Sequence, residues 1–176
     1  YELAEKRNCV LYVEFIGLLT AHHRGLKALI DQSGCQQFEL SATGGYYGWV
    51  AEEVGRGHWG QLANGRLHAL DDLFGELCLL DASLEQKTDG YRLEVRLDGG
   101  GVPITLVEHR EIDLRRSRKV TGRLANGHPL IDPRVTEPGN LFGQDLDVFC
   151  RQISSPAIQG SVSYTHLRAH ETLSYL

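Results

Sequence analysis

Methionine is absent from all 176 residues, and the chain opens at Tyr1. A processed or truncated start is the expectation. Cysteine is sparse and scattered: Cys9, Cys35, Cys78 and Cys150 lie far apart with no C-x-x-C pair. That spacing argues against a zinc knuckle or a disulfide frame, and for reduced, mostly buried thiols in a cytoplasmic protein. Long apolar runs are missing too, so no segment reads as a membrane span, and no secretory signal is visible. The net charge of −5 leaves no general basic face, which excludes the usual footprint of a nucleic-acid binder. What is there, 41% hydrophobic and 23% charged residues, suits a globular domain and not a disordered chain.

Residues 162–172, VSYTHLRAHET, look like the translation of a transposase mosaic-end sequencing adapter. Residues 162–176 are therefore set aside as a non-native tail, and His166 and His170 with them. Residues 1–161 then form one incomplete domain, truncated at both ends, of ordinary single-domain size.

The opening residues YELAEKR read as the end of a helix, and CVLYVEF, residues 9–15, as a strand buried on both faces. From Gly17 to Gln32 the apolar positions Leu18, Leu19, Leu26, Leu29 and Ile30 recur near a helical period, and Ser33-Gly34 stops the run. Gln36 to Ala42 returns to alternation, with Phe38 and Leu40 on one side. Strand, helix and strand in about 35 residues make a βαβ unit and an α/β fold, with α+β as the alternative.

Further along, Asn64-Gly65 reads as a hairpin turn between short β-compatible runs, and Leu73 to Leu80 as a helix capped by Asp71 and Asp72. YRLEVRL and VPITLVEHREIDL around Asp98-Gly99-Gly100-Gly101 give the strongest antiparallel hairpin signal. Residues 115–143 read as long loops with at most a short hairpin, and Asp145 to Ile153 as a last helix or strand.

Ligands of α/β sheets bind beyond the carboxyl ends of the strands, which singles out TGGYYGWVAEEVGRGHWGQL, residues 43–62. Gly44-Gly45-x-x-Gly48 brings backbone N–H groups toward an anion at a helix start, though it matches neither G-x-G-x-x-G nor the Walker loop. The bland reading is a tight strand-to-helix turn. Tyr46 and Trp49 offer flat faces to a substrate, and Glu53, Arg56 and His58 supply ionisable groups, with Glu52 and Arg56 spaced as a surface pair. Glu14, polar at the end of a buried-type strand, is the leading acid, base or ligand.

His109, Glu111 and Asp113 share one strand face, but three alternate positions span about 13 Å, long for one metal ion. On the opposite face Glu108 and Arg110 break an apolar row of Ile104, Leu106, Ile112 and Leu114, a mismatch that marks a cleft edge. Arg115, Arg116, Arg118, Lys119 and Arg123 form the one basic cluster, fitted to phosphate or carboxylate, with Arg115 nearest the strand end.

These features point to an enzyme acting on a small polar anionic substrate. Glu14, Glu53 and His58 would supply its catalytic groups; Gly44, Gly45, Tyr46, Trp49, Arg56 and Arg115 would bind the substrate. The expected partner is a small anionic molecule, with no nucleic acid and no membrane; no cofactor or metal is indicated. The competing reading is a non-catalytic module whose hairpins and arginine loop mediate protein association.

Overall fold

A computed structural model describes residues 16–57, 59–133 and 139–154. The short helix α1 (Ile16–Leu19) leads into α2 (Ala21–Ser33). Thr20 starts α2: its Oγ1 accepts from the His23 N–H at 3.1 Å, satisfying a donor that the helix end would orphan. Its inward stripe is His23, Leu26 and Ile30, and Gly34 ends it as the sequence leads one to expect.

β1 (Cys35–Gly44) follows, with Phe38, Leu40, Ala42 and Gly44 inward. Then come α3 (Trp49–Gly55), α4 (Trp59–Phe74), β2 (Leu77–Lys87), β3 (Gly90–Gly99), β4 (Val102–Glu111), β5 (Ser117–Leu124) and α5 (Leu141–Ser154). The strands form one sheet in the order β2-β3-β4-β1-β5. All neighbours are antiparallel except β1 and β4, which run parallel from Phe38 opposite Ile104 to Gly44 opposite Arg110. The fold is thus a mixed α/β one.

Helices α2, α3 and α4 cover one face of this sheet. Leu26 and Ile30, Val50 and Val54, and Ala63, Leu67, Leu70 and Leu73 meet the inward residues of β1, β3, β4 and β5 in a single core. The other face carries alternating polar residues such as Glu39, Ser41, Arg92, Glu94, Thr105 and His109, half-buried or exposed. Gly100 and Gly101 make the β3–β4 turn with φ of 59° and 87°, left-handed values that glycine adopts without a Cβ penalty.

Several local expectations change. Asn64-Gly65 is not a hairpin tip but lies inside α4, because Ala63, Leu67, Leu70 and Leu73 supply a helical stripe for burial that outweighs the local turn signal. Residues expected as a helix from Leu73 to Leu80 instead end α4 at Phe74 and begin β2 at Leu77. The segment read as loop contains β5, held by pairing along β1. α5 resolves the last segment as helix. Cysteines are less buried than expected: Cys35 is half-buried, and Cys78 and Cys150 are exposed. The strand expected at residues 9–15 lies outside the described residues, as does the tail. Among the described residues, no helix is long and apolar enough to cross a membrane.

Candidate functional site: a buried carboxylate between two arginines

Alternation along β4 turns Ile104, Leu106 and Glu108 toward the helices, so a carboxylate sits where an apolar side chain would continue the row. Glu108 is 1% exposed. An isolated charge there would be very costly, so its partners decide whether it can be ionised. Three groups converge on it. Arg110, two residues on along the strand, donates from Nε to Oε1 at 2.7 Å. Tyr91, on β3 and directly opposite Arg110, donates its hydroxyl proton to the same oxygen at 3.1 Å. Arg66, from α4, brings Nη1 to 2.8 Å from Oε2.

The Gly44-Gly45 turn completes the assembly. Gly44 lies opposite Arg110 on the parallel side, and a Cβ there would overlap the Arg110 guanidinium. Glycine at this position is thus a matter of room. The Tyr46 N–H donates to the Glu111 carbonyl at 3.1 Å, fastening the turn to the end of β4. The ring of Tyr46 meets that of Tyr91 edge-on, with centroids 6.2 Å apart.

Burial, reinforced by the Glu108 carboxylate, pushes the Tyr91 phenol well above its ordinary value, so it stays protonated and a donor. Burial also lowers Arg66, while Glu108 raises it and the like charges of Arg110 and Arg116 lower it further. Both guanidiniums reach solvent, Arg110 at 17% and Arg66 at 25% exposure. The assembly sits at the carboxyl ends of the parallel pair, where such sheets present their ligands.

Of the residues expected to bind substrate, Gly44, Gly45 and Tyr46 lie at this assembly. Arg115 follows β4; its carbonyl accepts from Thr43 Oγ1 at 2.7 Å and its side chain is exposed. Trp49 opens α3, and its side chain is not among those described. Glu53 on α3 pairs with Arg56, just past the helix end, at 3.1 Å, and Glu52 stands 3.7 Å from Arg56 as the surface pair its spacing implied. Glu14 and His58 lie outside the described residues. Arg66 and Tyr91 carried no expectation. The signal for Glu108 and Arg110 was present as a break in an apolar row; the signal for Arg66 was hidden by the hairpin reading of Asn64-Gly65.

A second polar group joins α2 to its neighbours. His22 Nε2 lies 2.6 Å from Asp132 Oδ1, and His23 Nε2 lies 2.8 Å from Asp72 Oδ2, tying α2 to the segment after β5 and to α4. Lys27 adds a bond to the Asp72 carbonyl at 2.7 Å. Burial lowers the His23 pKa, against the opposing pull of Asp72. Among the described residues no group of three or more His, Cys, Asp or Glu is placed to hold a metal. His109 pairs with Glu111 at 3.5 Å, and Asp113 has passed into the turn after β4.

No family model matches the chain. It is 30% identical over 156 residues to biliverdin reductase A of Homo sapiens and 29% identical over 156 residues to that of Mus musculus. Each match covers 87% of this chain but only 51% and 52% of the relative, so the chain spans about half the length of these curated relatives. The solved structure of D-galactose-1-dehydrogenase from Rhizobium etli aligns with a TM-score of 0.74 at 17% identity, covering 99% of this chain and 62% of that one. The WlbA (WbpB) dehydrogenase from Thermus thermophilus, in complex with NAD and UDP-GlcNAcA, aligns with a TM-score of 0.59 at 16% identity, covering 98% and 56%. At these identities the structural likeness concerns the fold. The relatives themselves are reductases and dehydrogenases.

Proposed function

We propose that the chain is the substrate-handling part of an α/β reductase or dehydrogenase that acts on a small polar anionic substrate. The observation that carries this is the Arg66–Glu108–Arg110 assembly, whose two guanidiniums reach solvent at the carboxyl ends of the parallel strands beside Gly44-Gly45. Arg110 and Arg66 would hold a carboxylate or phosphate of the substrate through charge-assisted hydrogen bonds. The Gly44-Gly45 turn lets that group approach the backbone. Tyr46 would supply a flat face, and Glu14 and His58 are the groups assigned to acid–base work. Glu53 on α3 and Arg56 just past its end would line the approach with Arg115.

A dinucleotide does not fit the described residues. Gly44-Gly45-Tyr46-Tyr47-Gly48 departs from the G-x-G-x-x-G spacing. Gly55-Arg56-Gly57-His58-Trp59-Gly60 has that spacing, but Gly55 ends a helix and Gly60 lies in the next, whereas the fingerprint needs a strand before it. A nicotinamide cofactor such as the NAD in the WlbA dehydrogenase complex would have to be held outside the described residues.

The test is steady-state reduction by the full-length protein with NADH and with NADPH, taking biliverdin first because the relatives are named for it. Arg110→Gln should raise KM about tenfold with a smaller effect on kcat, the signature of lost substrate binding. Unchanged KM in both Arg110→Gln and Arg66→Gln would sink the reading.

A further inference from the structure

β5 brings a cation to the same corner of the sheet that the assembly around Glu108 does not use. Val120 lies opposite Leu40 and Arg118 opposite Ala42, so Arg118 continues an apolar row on the helix-covered side. Its side chain is nevertheless exposed. Its charge acts on His23 of α2, and Arg66 of α4 acts on it in turn, which places the guanidinium over that same side. Burial of part of the side chain lowers its pKa, the like charge of Arg66 lowers it further, and Asp132 opposes both. An arginine stays charged throughout. Among the described residues Arg118 makes no hydrogen bond or ion pair. Asp132, the acid that acts on it, is engaged by His22 at 2.6 Å.

The floor beneath is low. β1 turns Phe38 and Leu40 toward the helices farther back, but ends on the methyl group of Ala42 and the bare Cα of Gly44. From the β4 side the Arg110 guanidinium already lies over Gly44, with Nε on Glu108 and Nη1 crowding the place of a Cβ. From the β5 side Arg118 starts opposite Ala42, two residues or about 7 Å back along β1, a gap that an extended arginine side chain spans. Two forks on the strands either side of β1 therefore share one small floor. The Nη atoms of Arg110, like Arg118, have no hydrogen-bond partner among the described residues.

We propose that Arg118 is a further substrate-binding residue, the second arm of a clamp that closes from β5 on the same acidic group that Arg110 holds from β4. The proposal rests on the reading that Arg110 meets the anionic part of the substrate. A carboxylate has two oxygens with about four lone-pair sites, enough to accept from a fork on each side. Arms on opposite sides of one group also fix its plane, which a single arginine at the end of a strand does not.

The experiment is an NMR titration of the isotope-labelled protein with acetate, at constant ionic strength set by chloride, read at the Nε–Hε resonances of Arg110 and Arg118. In wild type both resonances should shift with one dissociation constant, and Arg118→Gln should weaken acetate at Arg110 about tenfold. Arg118→Lys, which keeps the charge and loses the fork, should recover only part of that loss. Lys119→Gln removes the same charge one residue away, on the uncovered face opposite Ser41, and should change the affinity less than about twofold. An Arg118 resonance that acetate does not move, two different dissociation constants, or no effect of Arg118→Gln at Arg110 overturns the clamp while Arg110 keeps its anion. Lys119→Gln as damaging as Arg118→Gln overturns it too, since the effect would then be that of a distant charge. Should acetate fail to move Arg110 in wild type, the reading of Arg110 as an anion site falls as well.

Discussion

Along the covered face of β4 two neighbouring regions are built on opposite principles. At the Ile104 end, Phe38, Leu97, Leu106 and the edge-on ring of Phe74 form an apolar contact that needs nothing but shape. At the Glu108 end, the same face and the same period deliver a carboxylate, two guanidiniums and a phenol. The first region gains stability from every buried methylene. The second recovers at best what desolvation takes away. A fold selected for stability alone would extend the first region to the strand end.

The contrast breaks most visibly if Glu108 loses its partners. Arg66→Met/Arg110→Met strands a buried carboxylate and should cost about 3–5 kcal/mol in urea unfolding. Adding Glu108→Leu should recover most of that loss. A triple variant as unstable as the double would show that the charged end stabilises the fold in its own right.

Leu106→Ala should cost roughly 3 kcal/mol through the cavity it leaves, while the arginine resonances keep their response to acetate. A lost response would mean the two regions are not separable. Gly44→Ala probes the boundary between them. Its Cβ must displace Arg110, so stability should fall only about 1–2 kcal/mol while acetate affinity falls about tenfold. Equal affinity in a folded Gly44→Ala would remove the turn from the site.

A smaller effect belongs to the polar ties of α2. Burial holds the folded-state pKa of His23 below its ordinary 6.5, so over that interval the unfolded chain binds the proton more readily. Its contribution to stability is therefore complete above about pH 6.5 and is lost as the pH falls through that value toward the folded-state pKa. Between about pH 7 and pH 5 the wild-type melting temperature should fall more steeply than that of His23→Gln; parallel slopes would assign the acid sensitivity elsewhere. The smallest effect is expected at the Arg96–Asp81 pair on the outer face, which is exposed on both sides. Arg96→Gln should leave the melting curve and the anion titration unchanged.

Much of this was legible in the sequence where local pattern and burial agree. The alternation of Tyr91 to Leu97 and of Val102 to Glu111, with glycines between, specifies a hairpin because each strand has one face to hide and the turn needs left-handed backbone. Thr43 and Gly44, expected just past the strand, are its last two residues and Gly45 follows it, while Glu108 and Arg110 were visible as polar residues in an apolar row. Asn64-Gly65 misled, since a turn signal two residues long is weaker than a burial stripe running through sixteen helical residues.

By itself, then, the sequence determined the mixed α/β class, the β3–β4 hairpin and the end of α2 at Ser33-Gly34, because these follow from periodicities and glycine positions only a few residues apart. The tertiary structure decided which strands run side by side, that β1 takes β4 as its parallel neighbour, and that Arg66, Tyr91, Glu108 and Arg110 meet. Those contacts join residues far apart in the chain, and a charge in a one-dimensional pattern does not reveal its partner until helix and sheet close over it.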